Sequence, residues 1–141
     1  MRSVRFRAAG HSNIVGRHDT TLEITTERGV TRRGTCIVGI CANQTLRNLD
    51  DEIKAMARNR NTKIVLKLSV DDMTEEVVGR GSIGLTYTDT TSMVARTSSF
   101  ECGRTVLVQA DKAASGLDRG FVDRLKRPDA VLDCELIYIS G

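Results

Sequence analysis

Both histidines of the chain lie in one short polar stretch. His11 belongs to the segment 10–14 and His18 to the segment 18–21, so the two rings are seven residues apart. Glycine and polar residues between them indicate a turn that joins two strands. A neutral imidazole can move a proton near pH 7, so His11 and His18 are candidate catalytic residues, with Asn13 as a ligand contact. Alternatively, His11 or Asn13 hydrogen-bonds the backbone of the turn and His18 is a solvated strand residue.

A metal site is a weaker interpretation of the same histidines. Zinc usually takes three or four protein ligands, and the stretch supplies only two. A third ligand would have to come from a distant acid such as Asp111 or Glu23, and nothing in the sequence places either beside the histidines. We therefore assign no metal ligands, and the sequence names no cofactor.

Asp111 and Lys112 form a second candidate site. They follow a short apolar run and precede a predicted helix, and such junctions can expose polar groups while holding them rigidly. Lys112 could hold a phosphate or carboxylate, with Asp111 as a third catalytic candidate and Arg33 and Arg96 as further ligand contacts. Neither glycine-rich nucleotide-binding motif is present. The alternative is that Asp111 pairs with Lys112 or a neighbouring arginine.

Composition indicates a cytoplasmic protein of one domain, residues 1–141. The chain is 40% hydrophobic and 28% charged, which is ordinary for a globular domain. No apolar run approaches the roughly 18 residues of a membrane span. The four cysteines form no CxxC motif, so we expect small buried side chains in a reducing compartment. The net charge of +3 is low for a dedicated nucleic-acid-binding protein.

The hydropathy pattern predicts three strands, a helix, four strands, a second helix and a last strand. The third strand is expected from about 31 to 42, and the segments 93–98 and 104–110 are expected to form a hairpin. Asn48 and Ser115 are the expected helix caps. Connections this short favour antiparallel pairing, and we detect no internal repeat. The prediction is an α+β fold: a mostly antiparallel curved sheet or partial barrel of about eight strands with two helices.

Four blocks of the sequence, in this order, resemble one archaeal family. The blocks are Gly10-His11-x-Asn13-Ile14, His18-x-Thr20-Thr21-x-Glu23, Arg33-Gly34-x-Cys36-Ile37-x-Gly39 and Ala110-Asp111-Lys112-Ala113-Ala114. The family is the one catalogued as domain of unknown function, family 371. The resemblance spans nearly the whole chain and implies an archaeal, cytosolic protein of one domain. It implies no activity.

The residues favour binding of a small anionic or phosphate-bearing ligand at a polar site. That site would contain His11, Asn13, His18, Asp111 and Lys112. If the protein is an enzyme, which the sequence leaves open, a histidine would be the acid or base and Lys112 would stabilise charge.

Two other functions remain open at this stage. The first is an RNA- or ribonucleoprotein-associated module that uses basic strand faces, formed by Arg5, Arg7, Lys63 and Lys67. The second is a structural partner protein without a ligand. The oligomeric state is left open.

Overall fold

The computed structural model describes residues 1–141 and contains eight strands and two α-helices. A single turn of 3-10 helix, Ala114–Gly116, precedes the second α-helix. The α-helices are α1 (Asp51–Ala57) and α2 (Arg119–Leu125). The strands are β1 (Arg2–Ala9), β2 (Thr21–Thr25), β3 (Ile37–Gly39), β4 (Lys63–Val70), β5 (Met73–Arg80), β6 (Ser92–Arg96), β7 (Thr105–Leu107) and β8 (Val131–Ile139).

The strands form two four-stranded sheets that curve around a shared core. The first sheet has the order β1-β8-β4-β5 and is antiparallel throughout. The second has the order β3-β2-β6-β7. Single antiparallel bridges, Ala9–Ile40 and Arg80–Val108, connect the edges of one sheet to those of the other. Because each junction is one isolated bridge and not a continuous ladder, the two sheets wrap the core without closing into a barrel. The predicted α+β class is confirmed.

Alternating side chains of the first sheet point into this core. Thirty-four buried apolar residues form one cluster, and Leu68 and Leu136, from the two central strands, are fully buried in it. On the opposite face of the same strands lie charged residues such as Lys67 and Glu135, which are directly paired. The period of two in the sequence therefore predicted these faces correctly.

Aspartates cap both helices. Asp50 Oδ1 accepts a hydrogen bond from the Ile53 N–H at 2.9 Å, and Asp118 Oδ1 accepts one from the Phe121 N–H at 3.1 Å. The expected caps, Asn48 and Ser115, were wrong, because in each case an aspartate nearer the helix satisfies the free N–H groups. Both helices have seven residues, and no helix of the protein is long and apolar enough to cross a membrane.

Two strand pairs are parallel, where antiparallel pairing was expected. β3 runs parallel to β2, and β7 runs parallel to β6, so the predicted hairpin between 93–98 and 104–110 is wrong. Each connection, 26–36 and 97–104, returns to the starting end of its strand without a helix. This is feasible because β3 and β7 are only three residues long, whereas the usual crossover has to span a full strand.

The two halves of the chain repeat one another in structure, although no repeat was detected in the sequence. Each half has the order strand, strand, strand, helix, strand. The bridge Ala9–Ile40 in the first half corresponds to Arg80–Val108 in the second. Arg80 is 71 residues after its equivalent, Ala9, whereas Val108 is only 68 residues after its equivalent, Ile40. The difference arises because the loop 97–104 is three residues shorter than the loop 26–36.

Candidate functional site

The ring of His18 holds the turn that starts β2. Its Nδ1 accepts hydrogen bonds from the N–H groups of Thr20 and Thr21, both at 3.2 Å. Asp89 occupies the equivalent place in the second half. Its Oδ2 accepts from the N–H groups at the start of β6 at 3.0 and 2.7 Å. A carboxylate and an imidazole therefore perform the same backbone-fixing task in the two halves.

His11 and Asn13 also bond to nearby backbone, but His11 keeps one nitrogen free. The Asn13 N–H donates to His11 Nδ1 at 2.9 Å, and the Asn13 side-chain amide donates to the Val30 carbonyl at 3.1 Å. The first bond lies within the turn, and the second connects the turn to the loop 26–36. His11 is half-buried, and its Nε2 makes no hydrogen bond within the protein, so this atom is available to a ligand.

Asp111 and Lys112 each have a partner within the fold. The Asp111 N–H donates to the Val78 carbonyl at 2.8 Å, and the Val78 N–H donates to Asp111 Oδ1 at 2.9 Å. Asn43 makes the same two contacts with Arg7 in the first half. Lys112 Nζ donates to Glu75 Oε1 at 3.0 Å. An anion at Lys112 would therefore compete with Glu75.

The predicted ligand contacts Arg33 and Arg96 have different environments. Arg33 is exposed and forms no ion pair. Arg96 Nε donates to Thr105 Oγ1 at 2.8 Å, and its guanidinium lies 4.9 Å from the centre of the Phe100 ring. A second guanidinium nitrogen donates to Cys102 Sγ at 3.6 Å. Arg96 thus organises the loop 97–104.

The predicted site residues do not gather in either main cleft. No group of three or more histidine, cysteine, aspartate or glutamate side chains is placed to hold a metal ion, so His11, His18 and Asp111 form no such group. The two clefts described below are also lined by other residues. A catalytic role for these three residues stays a prediction.

One cleft, of about 650 Å³, lies on the outer face of the first sheet. Its charges are largely compensated. Arg5 Nε lies 3.5 Å from Glu135 Oε2, and Arg7 Nε lies 3.1 Å from Asp133 Oδ1. Lys67 is paired across the strands with Glu135 on one side and with Glu76 on the other. This face therefore alternates in charge, which weakens its attraction for a phosphate backbone.

A second cleft of about 340 Å³ has uncompensated positive charge. We call it the arginine cleft. Arg60 and Arg80 line it, are both exposed, and form no ion pair. Lys63 lies directly across from Arg80 in the β4–β5 pairing, and like charges in that position repel. The other lining residues are Asn61, Gly81, Ser82, Ser99, Val108 and Gln109.

One residue that lines the arginine cleft, Gly81, has to be a glycine. A Cβ atom on Gly81 would lie 2.4 Å from the carbonyl oxygens of Ala57 and Asn59. The Gly81 N–H donates to the Thr62 carbonyl, and the Ser82 N–H donates to the Ala57 carbonyl at 2.9 Å. This close approach joins the end of β5 to the end of α1, so it brings Arg80 and Arg60 to one place.

The carboxylate of Glu101, in the loop 97–104, binds the loop 82–84 next to the arginine cleft. Ser82 Oγ donates to Glu101 Oε2 at 2.5 Å, and the Gly84 N–H donates to the same oxygen at 2.7 Å. The bond from Ser82, followed by that from Gly84, lowers the pKa of Glu101. Glu101 is thus held by the loop 82–84 and forms no ion pair with either arginine.

Comparison with known proteins identifies the family. The family model "Domain of unknown function (DUF371)" matches residues 6–139. The chain is 37% identical over 120 residues to the uncharacterized protein MJ0206 of Methanocaldococcus jannaschii, and the match covers 85% of this chain and 88% of that protein. The chain belongs to the DUF371 family. The predicted resemblance is therefore confirmed, and DUF371 membership supplies no activity.

Our sequence interpretation of this DUF371 protein missed Arg60, Arg80 and Gln109 as candidate ligand contacts. One signal for them was present. The segment 53–70 contains five lysine and arginine residues and no acid. Arg80 and Ser99 are distant from this segment in sequence, and only the fold brings them beside it.

Proposed function

We propose that this protein binds a small anionic ligand, and specifically a phosphate group, in the arginine cleft. The observation that supports this is the pair of exposed arginines, Arg60 and Arg80, that line one opening without an acid partner. Lys63 lies opposite Arg80 and adds to the repulsion. A bound anion would relieve that repulsion, and a guanidinium presents paired N–H donors that match phosphate oxygens.

The remaining lining side chains suit the same ligand. Asn61, Ser99 and Gln109 are neutral polar groups at the cleft. Gln109 Nε2 lies 3.4 Å from Ser99 Oγ, a long contact that a ligand oxygen could replace. Ligand sites usually combine a few convergent polar groups in this way.

Titration with inorganic phosphate and with ribose 5-phosphate, followed by calorimetry, tests the proposal. We expect Arg80→Gln and Arg60→Gln each to weaken binding about tenfold, because a hydrogen bond to a charged group contributes about 1.5 kcal/mol or more. Arg17→Gln is the matched control, since Arg17 is also exposed and free of ion pairs but does not line the cleft. Equal binding by all three variants and the wild type would contradict the proposal.

The same titration separates the arginine cleft from the site predicted around His11, Asn13, His18, Asp111 and Lys112. Lys112→Gln removes the only lysine of that site, which is already bonded to Glu75. If the ligand binds there, Lys112→Gln will abolish binding and Arg80→Gln will leave it unchanged. If it binds in the arginine cleft, the effects will be reversed. His11→Gln adds a test of the free Nε2.

RNA association remains the alternative function, and it makes a different prediction. The combined Arg5→Gln and Arg7→Gln variant removes the two arginines of the outer strand face that are paired with Glu135 and Asp133. If RNA binds this face, the variant will weaken RNA binding and flatten its salt dependence by about one unit for each phosphate that is no longer neutralised. Binding of phosphate in the arginine cleft predicts no change in this variant.

A further inference from the structure

Two strongly exposed apolar side chains are next in the chain to residues that line the arginine cleft. Ile83 is 73% exposed and Phe100 is 59% exposed, more than any other large apolar residue except Met1. Each directly follows a serine that lines the cleft, Ser82 for Ile83 and Ser99 for Phe100. Exposing these side chains to water is unfavourable. Two such side chains next in the chain to one charged opening are therefore informative, although neither lines the opening itself.

The loops that carry these side chains are held in place. Glu101 accepts hydrogen bonds from Ser82 Oγ and from the Gly84 N–H, so it clasps the segment around Ile83 to the segment around Phe100. The Arg96 guanidinium lies 4.9 Å from the centre of the Phe100 ring, a distance at which a cation stabilises an aromatic ring. The ring is thus carried by an ordered loop, one residue from Ser99, which lines the cleft.

We infer that the ligand of the arginine cleft is a nucleotide, whose phosphate lies between Arg60 and Arg80 and whose base stacks on Phe100. This inference rests on the proposed function, because it takes the phosphate position from it. An exposed aromatic ring beside a cationic groove is the combination that binds a nucleotide unit, since the ring stacks on a base and arginines neutralise the phosphate.

The cleft size favours a free nucleotide over a longer strand. Its volume of about 340 Å³ is near the lower limit of ligand pockets. Phe100 is the only aromatic side chain of the protein that is exposed, whereas proteins that bind strands stack successive bases on several rings. The shared chemistry is a phosphate joined to an aromatic base, and the experiment has to distinguish its two sources.

Calorimetric titration of the full-length protein with four probes tests this inference. The probes are inorganic phosphate, ribose 5-phosphate, adenosine 5′-monophosphate and a short single-stranded oligoadenylate. We expect adenosine 5′-monophosphate to bind about tenfold more tightly than ribose 5-phosphate, which is the lower part of the range for stacking one base on an aromatic ring. Phe100→Ala should remove this difference, and Phe100→Tyr should retain it. Neither should change the affinity for inorganic phosphate.

The outcomes distinguish this inference from the function on which it rests. If no phosphate-bearing probe binds the wild type, or if Arg80→Gln has no effect on any of them, the proposed function itself fails. If ribose 5-phosphate and the nucleotide bind equally and Phe100→Ala changes neither, the phosphate site stands and the nucleotide is wrong. Tighter binding of oligoadenylate than of the mononucleotide would contradict a free nucleotide as the ligand.

Discussion

The segments 2–70 and 73–138 build the same arrangement of strands and helix, but they differ in the side chains that they present at equivalent positions. The arginine cleft contains Arg60, from the first half, and Arg80, Ser82 and Gln109, from the second half. Their equivalents, located from the matching backbone hydrogen bonds, are Pro128, Ala9, His11 and Cys41. The equivalent positions therefore hold no arginine, and a histidine and a cysteine replace Ser82 and Gln109.

The contacts that the two halves share identify residues that maintain the fold. Asp50 and Asp118 cap their helices in the same way. His18 and Asp89 fix the same turn with different chemistry, and so do Asn43 and Asp111 at the next junction. Where equivalent side chains of the two halves make the same backbone contact, maintenance of the fold is a sufficient reason for the presence of both.

Residues without such a counterpart are the better functional candidates. Arg80 corresponds to Ala9, and Arg60 corresponds to Pro128, so neither arginine is required by the repeated backbone. The free Nε2 of His11 is also without an equivalent, since Ser82 occupies that place in the second half. The comparison therefore favours the arginine cleft and, among the histidines, favours His11 over His18.

The largest effects are expected in the core shared by the halves. Leu68 and Leu136 occupy equivalent positions in β4 and β8, and both are 0% exposed. Truncation of either leucine to alanine should lower the free energy of unfolding by roughly 2–5 kcal/mol, since each leaves a cavity in a packed core. Urea denaturation measures this. A loss of less than about 0.5 kcal/mol at one position alone would mean that the halves are not equivalent in packing.

Gly10 and Gly81 should be equally intolerant of a side chain. A Cβ on Gly10 would lie 2.4 Å from the carbonyl oxygens of Leu125 and Arg127, as a Cβ on Gly81 would from those of Ala57 and Asn59. We expect Gly10→Ala and Gly81→Ala each to cost about 1–3 kcal/mol, because the helix end has to move.

Gly29→Ala is the control for this pair, because nothing lies within 4 Å of the added Cβ. Its change in urea denaturation should stay within about 0.5 kcal/mol. A substantial cost at Gly10 together with none at Gly81 would show that only one helix end is fixed by its glycine, and the structural repeat would then not extend to this contact.

The alternation of apolar and polar residues was sufficient to predict most strands and the fold class. β4 illustrates why: Ile64, Leu66, Leu68 and Val70 are buried at every second position, and burial on one face of a sheet imposes that period. The parallel pairs could not be predicted in this way. β3 and β7 have three residues each, too few to show a period or to reveal their direction.

The structural repeat and the arginine cleft could not be predicted from the sequence for a related reason. Equivalent positions have to preserve a backbone contact, and different side chains can do so, as His18 and Asp89 demonstrate. Sequence identity between the halves is therefore low even though their hydrogen bonds match. The cleft unites Arg60 and Arg80 across twenty residues of chain, and sequence spacing does not encode that proximity.

A buried pair of tyrosines in the second half has no equivalent in the first, and we expect its loss to have a smaller effect on stability than the changes above. Tyr87 Oη donates to the Val106 carbonyl at 2.6 Å and lies 2.9 Å from Tyr138 Oη. Gly16 is the equivalent of Tyr87, and both have positive φ angles, 60° and 52°. Tyr138→Phe should cost about 1 kcal/mol at neutral pH, the net value of one hydrogen bond.

The same pair predicts how stability changes with pH. Burial raises the pKa of both phenols above the ordinary value, which is about 10. The neutral pair therefore contributes its full stability below about pH 10, and this contribution is lost as the pH rises above that value. Tyr138→Phe should make the alkaline loss of stability less steep in urea titrations. An unchanged slope would show that the phenols are not buried as a pair.

The smallest expected effect is on the reactivity of cysteine thiols and leaves stability unchanged. It compares Cys36 of the first half with Cys102 of the second. Burial and then the neighbouring carboxylate of Glu23 raise the pKa of Cys36. At Cys102 burial opposes ionisation, but hydrogen bonds from Thr105, the Arg104 backbone and Arg96 outweigh it and lower the pKa. This corrects the expectation of small buried cysteines, because Cys102 is only half-buried and the fold brings Arg96 to it.

In a Cys41→Ser background, which removes the exposed thiol, Cys102 should react with iodoacetamide faster than Cys36 at pH 7.5. The thiolate is the nucleophile, and Cys102 has more of it at that pH. Arg96→Gln should slow the labelling of Cys102 and leave Cys36 unchanged, which mass spectrometry of the labelled peptides can measure. Faster labelling of Cys36 would contradict this assignment, since the half with the carboxylate partner would then hold the more reactive thiol.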